Sequence, residues 1–179
     1  MADFSTDRRK VELAPHDPKW AVQAAAESGR LAQAIGPTLI RIEHVGSTSI
    51  PGIRAKPTID LQPIVRCVAD LDARQPQVEA LGYVWRGEFG IPGRRYCVRE
   101  KDGRRLFHVH CHQDGHPEIA RTLVFRDYLR AHAEEARAYE MLKIACAAAH
   151  PDDSHAYSKS KGDWIRACIT RAEAWAAAR

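Results

Sequence analysis

"EHVGSTSIPGIRAKPTIDLQ", residues 43–62, sets a Gly-Ser turn a short distance ahead of a lone aspartate embedded in apolar residues. Gly46-Ser47 at the end of a strand offers backbone N–H groups and a hydroxyl to an anion. The same residues also suit a plain capping turn, with Ser47 or Ser49 satisfying backbone donors. No Gly-Lys-Ser/Thr closes the segment, so it is not a P-loop. Lys56, in "RAKP", is near enough in sequence to reach a phosphate at the turn, and equally suits the surface. Beyond it "PTIDLQPIV", residues 57–65, reads as a strand. Ile59 and Leu61 point one way, and Thr58, Asp60 and Gln62 the other.

Upstream, "TLIRIEHV", residues 38–45, reads as a strand that runs straight into the turn. An amphipathic helix precedes it over residues 16–36. Asp17 can cap its first turn, Pro18 suits the first helical position and Gly36 the exit. Trp20, Ala24, Leu31 and Ile35 fall on one face at helical spacing. Downstream, a short helix is expected around residues 76–81, ended by Gly82, and "YVW" resumes extended structure. In "RRYCVREKDGRRLFHVHCH", residues 94–112, two alternating segments flank Asp102-Gly103, which can take the positive φ angles of a tight hairpin. Phe107, Val109 and Cys111 face one side of its second strand. His108, His110 and His112 face the other. From Pro117 the pattern is helical, with helices predicted over residues 117–132, 133–150 and 154–179. In the last of these Tyr157, Lys161, Trp164, Ile165, Cys168 and Trp175 recur at helical intervals. Helix, mixed sheet, then a helical half is an α+β order.

A chain of 179 residues is one domain's worth, with a sheet-containing core over about residues 11–116 and a helical part over 117–179. No apolar run approaches the length of a bilayer span, and residues 1–10 lack a signal peptide's apolar centre. The five cysteines are odd in number and contain no CxxC pair, which fits reduced thiols in a cytoplasmic protein. A net charge of +4 permits an anionic ligand. No Lys/Arg run carries interleaved aromatics, so nothing points to nucleic acid or to a membrane surface.

The two polar strand faces carry the chemistry. If these strands are neighbours, Asp60 and two or three imidazoles converge on one open face. An oxygen ligand with borderline nitrogen ligands on a rigid scaffold suits a divalent metal. The alternative is a solvated sheet face with incidental histidines.

Residues 42–61, "IEHVGSTSIPGIRAKPTIDL", resemble the signature of the GrpB family, whose members read close to EHVGST-x-(V/I)PG-x-x-AKP-x-IDI. The likeness continues through "FHVHCH" (107–112), "LVFRDYLRAH" (123–132), the Tyr139/Lys143 pair and the Tyr157/Lys161 pair. It covers nearly the whole chain after the first helix. It implies a nucleotidyltransferase-like (polymerase-β-like) mixed sheet with an N-terminal helix and a C-terminal helical bundle forming one wall of a cleft. The family is also found fused behind dephospho-CoA kinase.

In that superfamily an apolar residue, Gly and Gly or Ser precede an Asp-x-Asp on the next strand. The turn holds nucleotide phosphates and the two aspartates bind magnesium. Val45-Gly46-Ser47 and Asp60 match, which assigns Gly46, Ser47 and Thr48, with Lys56, to phosphate. The second aspartate is replaced by Gln62, a neutral group that cannot supply the second anionic oxygen. Either His108 and His110 complete a mononuclear site with Asp60, favouring a transition metal over magnesium, or the site keeps ligand binding alone. Magnesium, manganese and zinc all stay open.

Glu43, His44, Gln62 and His112 are accessory candidates. Tyr139, Lys143, Tyr157 and Lys161 can lean polar tips towards an anion in the cleft. Arg126 suits a structural pairing with Asp127 or a neighbouring helix. Tyr157-x-x-x-Lys161 also matches the Tyr/Lys pair of short-chain dehydrogenases, but no Gly-rich dinucleotide fingerprint precedes it. The expected function is metal-dependent transfer of a nucleotidyl or phosphoryl-type group from a nucleotide or other phosphate-bearing small molecule. A non-catalytic module binding a nucleotide or CoA-like anion is the alternative, and a small zinc hydrolase a third reading.

Overall fold

The computed structural model describes residues 9–179; residues 1–8, most of the polar segment read at the N-terminus, lie outside the described residues. Helix α1 spans Lys19–Ile35. Asp17 Oδ1 accepts from the Lys19 N–H at 2.9 Å, and Gly36 ends the helix at φ 71°. Trp20, Ala24, Leu31 and Ile35 are all buried, as the spacing predicts.

Five strands form one mixed sheet: β1 (Leu39–Val45), β2 (Ile59–Val65), β3 (Tyr83–Trp85), β4 (Arg95–Lys101) and β5 (Arg104–Gln113). Their order is β1-β2-β5-β4-β3, with β2 and β5 parallel and the other neighbours antiparallel. Between β2 and β3 run two short helices, α2 (Val68–Asp72) and α3 (Gln75–Glu79). The β4–β5 hairpin turns at Asp102-Gly103, with φ 52° and 74°. Inserting β5 between β2 and β4 makes Asp60 and His108 cross-strand partners.

One face of this sheet packs on α1. Ile59, Leu61, Val65, Phe107, Val109 and Cys111 join Ala24, Leu31 and Ile35 in one apolar cluster. A second cluster forms where α4 (Pro117–Ala131), α5 (Ala133–Ala149) and α7 (Gly162–Ala177) meet. Ile50 and Ile53, from the loop just after the Gly-Ser turn, are buried in that second cluster. The loop is thus anchored in the helical half while the strand it leads to belongs to the sheet.

The single helix predicted over residues 154–179 is two. Helix α6 (Ser154–Ser160) stops at Lys161, and α7 starts at Gly162. Apolar residues continue at helical spacing across the break, so periodicity alone hides it. All five cysteines are free, four of them buried. Among the described residues no helix is long and apolar enough to cross a membrane.

Candidate functional site

Val45 and Asp60 are cross-strand partners, so the turn leaving β1 lies directly over the aspartate of β2. Gly46 has φ 70°, and a Cβ built there would lie 2.2 Å from Asp60 Oδ2. The position therefore needs glycine for two reasons, a left-handed backbone and a carboxylate in close contact. Ser49 caps the turn: its N–H and its Oγ both donate to the Gly46 carbonyl, at 3.1 and 2.6 Å. Ser47 Oγ donates to the Tyr139 hydroxyl at 3.4 Å. Thr48 is buried with its hydroxyl 3.0 Å from His44 Nε2. Of the turn residues assigned to phosphate, Gly46 and Ser47 stand beside Asp60 and Tyr139, whereas Thr48 turns away to His44.

Asp60 Oδ1 lies 3.1 Å from His108 Nδ1 and 3.5 Å from His110 Nε2. One donor atom from each residue falls within 4.8 Å of the others. Zinc–nitrogen and zinc–oxygen bonds of about 2.0–2.1 Å in a tetrahedron place neighbouring donors about 3.3 Å apart. The two spacings from Asp60 bracket that value and the two imidazoles lie within 4.8 Å of each other, so this donor set fits a divalent ion. One carboxylate with two imidazoles suits zinc or manganese better than magnesium, which prefers an all-oxygen shell. Burial alone would raise the Asp60 pKa. Hydrogen bonds from His108 and then His110 outweigh it and hold the carboxyl well below its usual range. Burial lowers the His108 pKa, opposed by its bond to Asp60. His108 Nε2 is buried without a hydrogen-bond partner.

The third alternating histidine does not join them. His112 pairs with Ile64 in register, four residues along from Asp60–His108 and so about 13 Å away. It stacks against His116 with ring centroids 4.6 Å apart, and its Nδ1 lies 3.4 Å from Gln62 Nε2. Burial, with His116 adding to it, brings His112 to a pKa of about 4. Gln62 is 1% exposed, so the residue in place of a second aspartate is an interior amide turned towards His112.

Three lysines gather beside the turn. Lys161 Nζ lies 3.8 Å and Lys56 Nζ 5.2 Å from the centroid of the Tyr157 ring. Lys143 Nζ is 4.8 Å from the Tyr139 ring centroid and donates to the Arg54 carbonyl. Burial, then the charges of Lys56 and Lys143, bring Lys161 to a pKa of about 7. Burial brings Lys143 to about 8 and lowers Lys56. The α6–α7 break positions Lys161 in this group.

Glu43 and Arg126 form a strut instead. Arg126 donates to Glu43 Oε2 at 2.8 Å, to the His44 carbonyl at 3.2 Å and to Asp127 at 2.7 Å, tying α4 to β1. Arg94 was not singled out by the sequence. It is 8% exposed, its guanidinium lies 5.0 Å from the Tyr96 ring centroid, and its Nη1 is 3.5 Å from His110 Nδ1. Its neighbour Arg95 pairs with Asp72 at 2.6 and 2.7 Å. Nothing in the local pattern distinguishes these two arginines.

The model of the family described as GrpB protein matches residues 10–171. UPF0157 protein YqkA of Bacillus subtilis is 43% identical over 94% of this chain, which spans only 49% of that relative. A dephospho-CoA kinase of Mycolicibacterium paratuberculosis is 31% identical over 94% of this chain, again about half (47%) of its own length. Cid1, solved in complex with its short product ApU, shares 15% identity over 75% of this chain and 42% of its own, at a TM-score of 0.51. At that identity the likeness concerns architecture alone, and the architecture is the nucleotidyltransferase fold. The crystal structure of GrpB from Enterococcus faecalis matches at a TM-score of 0.86 and 37% identity, over 92% of this chain and 99% of that one. With fold, sequence and nearly full length in agreement, the chain belongs to the GrpB family.

Proposed function

We propose that the protein binds a nucleotide or another phosphate-bearing small molecule beside the Gly46 turn and transfers a nucleotidyl or phosphoryl-type group to a small acceptor. The observation that carries this reading is the joining of two incomplete charge sets. Asp60, His108 and His110 offer an ion three donors, and three lysines gather beside the same turn, Lys143 and Lys161 buried and Lys56 half-buried. The amino groups of Lys56 and Lys161 have ring contacts but no hydrogen bond or ion pair among the described residues. Clustered buried cations of this kind are costly unless an anion joins them.

Asp60, His108 and His110 would hold the divalent metal, which when bound would act as a Lewis acid on a phosphoryl oxygen. The remaining work belongs to the chain's own groups. Ser47 offers its hydroxyl, and Lys56, Lys143 and Lys161 neutralise phosphate charge. Tyr139 and Tyr157 form an apolar wall behind the lysines and keep water from the transferring group. Arg94 Nη1 lies 3.5 Å from His110 Nδ1; a guanidinium only donates, so this contact keeps the imidazole proton on Nε2, facing Asp60, and metal ligation through Nε2 would require Arg94 to release the ring.

One observation favours a second reading, a module that binds the anion without transferring it. Gln62 replaces the second carboxylate with a neutral, interior side chain, so the charge balance of two-metal transfer is absent.

Metal analysis of purified wild type, Asp60→Ala and His110→Ala, combined with a panel of labelled nucleoside triphosphates and small acceptors, tests both. Group transfer predicts stoichiometric metal in the wild type, loss of it in both variants, and metal-dependent triphosphate consumption. Equal metal content in all three proteins would sink the metal site. Nucleotides that bind but stay intact with every metal would leave the binding module.

A further inference from the structure

The Gly46 turn has a second side. Away from Asp60 it borders an open cleft of about 490 Å³, between the start of α1, the α4–α5 corner and the loop at 51–53. His16, His44, Thr48, Arg130, Arg137 and Glu140 supply its polar lining. Ala21, Ile53 and Leu129 supply apolar surface. This size and this mixture are those of a small-molecule site.

The polar groups do not cancel one another. Glu140 is occupied, accepting from the Arg54 N–H at 2.7 Å with the Arg54 guanidinium 4.0 Å away. Arg130 commits Nε to the Ser49 carbonyl at 2.9 Å, and its Nη1 is 3.9 Å from Asp127. The Arg137 guanidinium has no hydrogen bond or ion pair among the described residues. His16 Nδ1 is buried without a hydrogen-bond partner, its ring edge-on to Trp20 with centroids 5.5 Å apart. His44 is neutral, with burial bringing its pKa to about 4, and it is committed to Thr48. The cleft therefore keeps an excess of positive charge, one unanswered imidazole nitrogen and an apolar wall.

We infer that this cleft is a second ligand site, for a small molecule with a compact apolar body and one carboxylate or phosphate group. Arg137 and the free end of Arg130 hold the anionic group by charge-assisted hydrogen bonds, and the body lies against Ile53 and Leu129. The ligand touches Thr48 and Ser49, in the same short turn whose Gly46 touches Asp60 and whose Ser47 touches Tyr139. Two ligands would thus share one turn as their common wall. The role that follows, the seat of the acceptor, rests on the group-transfer reading; the binding itself does not.

Phenyl phosphate and benzoate are suitable probes, each an apolar ring with one anionic group. Titrations followed by amide and arginine side-chain NMR use the wild type, Arg137→Ala, Ala133→Phe and Asp60→Asn. Arg137 and Ala133 are exposed, so both cleft variants leave the core untouched. The expected result is saturable shifts at Thr48, Ile53 and Arg137 with at least one probe, and the responding probe identifies the anionic group. Binding weakens roughly tenfold or more in Arg137→Ala, the scale of one lost charge-assisted bond. The added ring of Ala133→Phe fills the cleft and abolishes binding, and Asp60→Asn leaves it unchanged. Absence of saturable shifts with both probes overturns the site, as do shifts that survive both cleft variants. Shifts confined to Lys56 and Lys161 also overturn it, because the probe then occupies the lysine group. Failure of the metal reading registers separately, in metal content, and leaves this result legible.

Discussion

At Gly46 a single missing methyl group decides whether the Asp60 carboxylate keeps its place. Two glycines in the same stretch separate the causes. Gly52 has φ 80° with nothing within 4 Å of a built Cβ, whereas Gly46 has φ 70° with Asp60 Oδ2 at 2.2 Å. Gly52→Ala should therefore cost only the left-handed backbone penalty, about 1–2 kcal/mol. Gly46→Ala carries the same penalty and must also displace a carboxylate hydrogen-bonded to two histidines. Its loss in denaturant or thermal unfolding should exceed that of Gly52→Ala by about 2 kcal/mol, the scale of disrupting a buried charged hydrogen-bond network. Bound metal should fall in Gly46→Ala alone. Equal destabilisation by the two substitutions would mean that Asp60 adjusts freely and that the close contact constrains nothing. The same residue scale sets the limit of what could be read in advance. Gln62 is recognisable in the sequence as a departure, but its partner His112 is fifty positions away and becomes visible only when β5 is laid beside β2.

Elements were legible where local chemistry defines them. The start of α1 follows from Asp17-Pro18, and the β4–β5 hairpin from Asp102-Gly103 between alternating segments. Strand order was not, because the parallel β2–β5 pairing is a long-range event with no turn to announce it. The convergence of Asp60 with His108 and His110 was therefore conditional on a neighbour relation that only the fold supplies. The C-terminal helix shows the reverse error. Its periodicity reads continuously from Tyr157 to Trp175 because α6 and α7 both present apolar residues to the interior, and Gly162 was the one local sign of a break. That break has a consequence at Asp153. Its carboxylate caps α6, accepting from the N–H groups of His155 and Ala156 at 3.0 Å each. Asp153→Ala should destabilise the protein by about 1 kcal/mol, as loss of an N-cap does. Because α6 carries Tyr157 and ends at Lys161, pyrophosphate affinity measured by calorimetry should fall with it. A lowered melting temperature with pyrophosphate affinity unchanged would show that α6 does not orient the lysine group.

Across the whole molecule, the three lysines belong to three separate parts: Lys56 to the loop before β2, Lys143 to α5 and Lys161 to the α6–α7 junction. They meet only when the helical half closes on the sheet, so their charge is a property of the assembled fold. Each has its pKa lowered from 10.5, Lys161 to about 7 and Lys143 to about 8, with burial the largest cause in each case. The sign follows from proton counts. Below about pH 7 these groups are charged in both folded and unfolded chains, and folding carries the full cost of burying them. Between about 7 and 10.5 the unfolded chain binds more protons, so their contribution to stability becomes less unfavourable as pH rises. An anion reverses the preference, because it favours the charged amines. Pyrophosphate binding near pH 8 should therefore take up protons, and its affinity should decline as pH rises through the 7–8 range of Lys161 and Lys143. Calorimetry in Tris and in HEPES, buffers of very different ionisation heat, reads the uptake as a difference in apparent binding enthalpy. Lys161→Met should remove much of that difference and weaken binding. Identical enthalpies in both buffers, with tight binding retained, would mean that the lysines are charged before the anion arrives and that closing the helical half over them costs little.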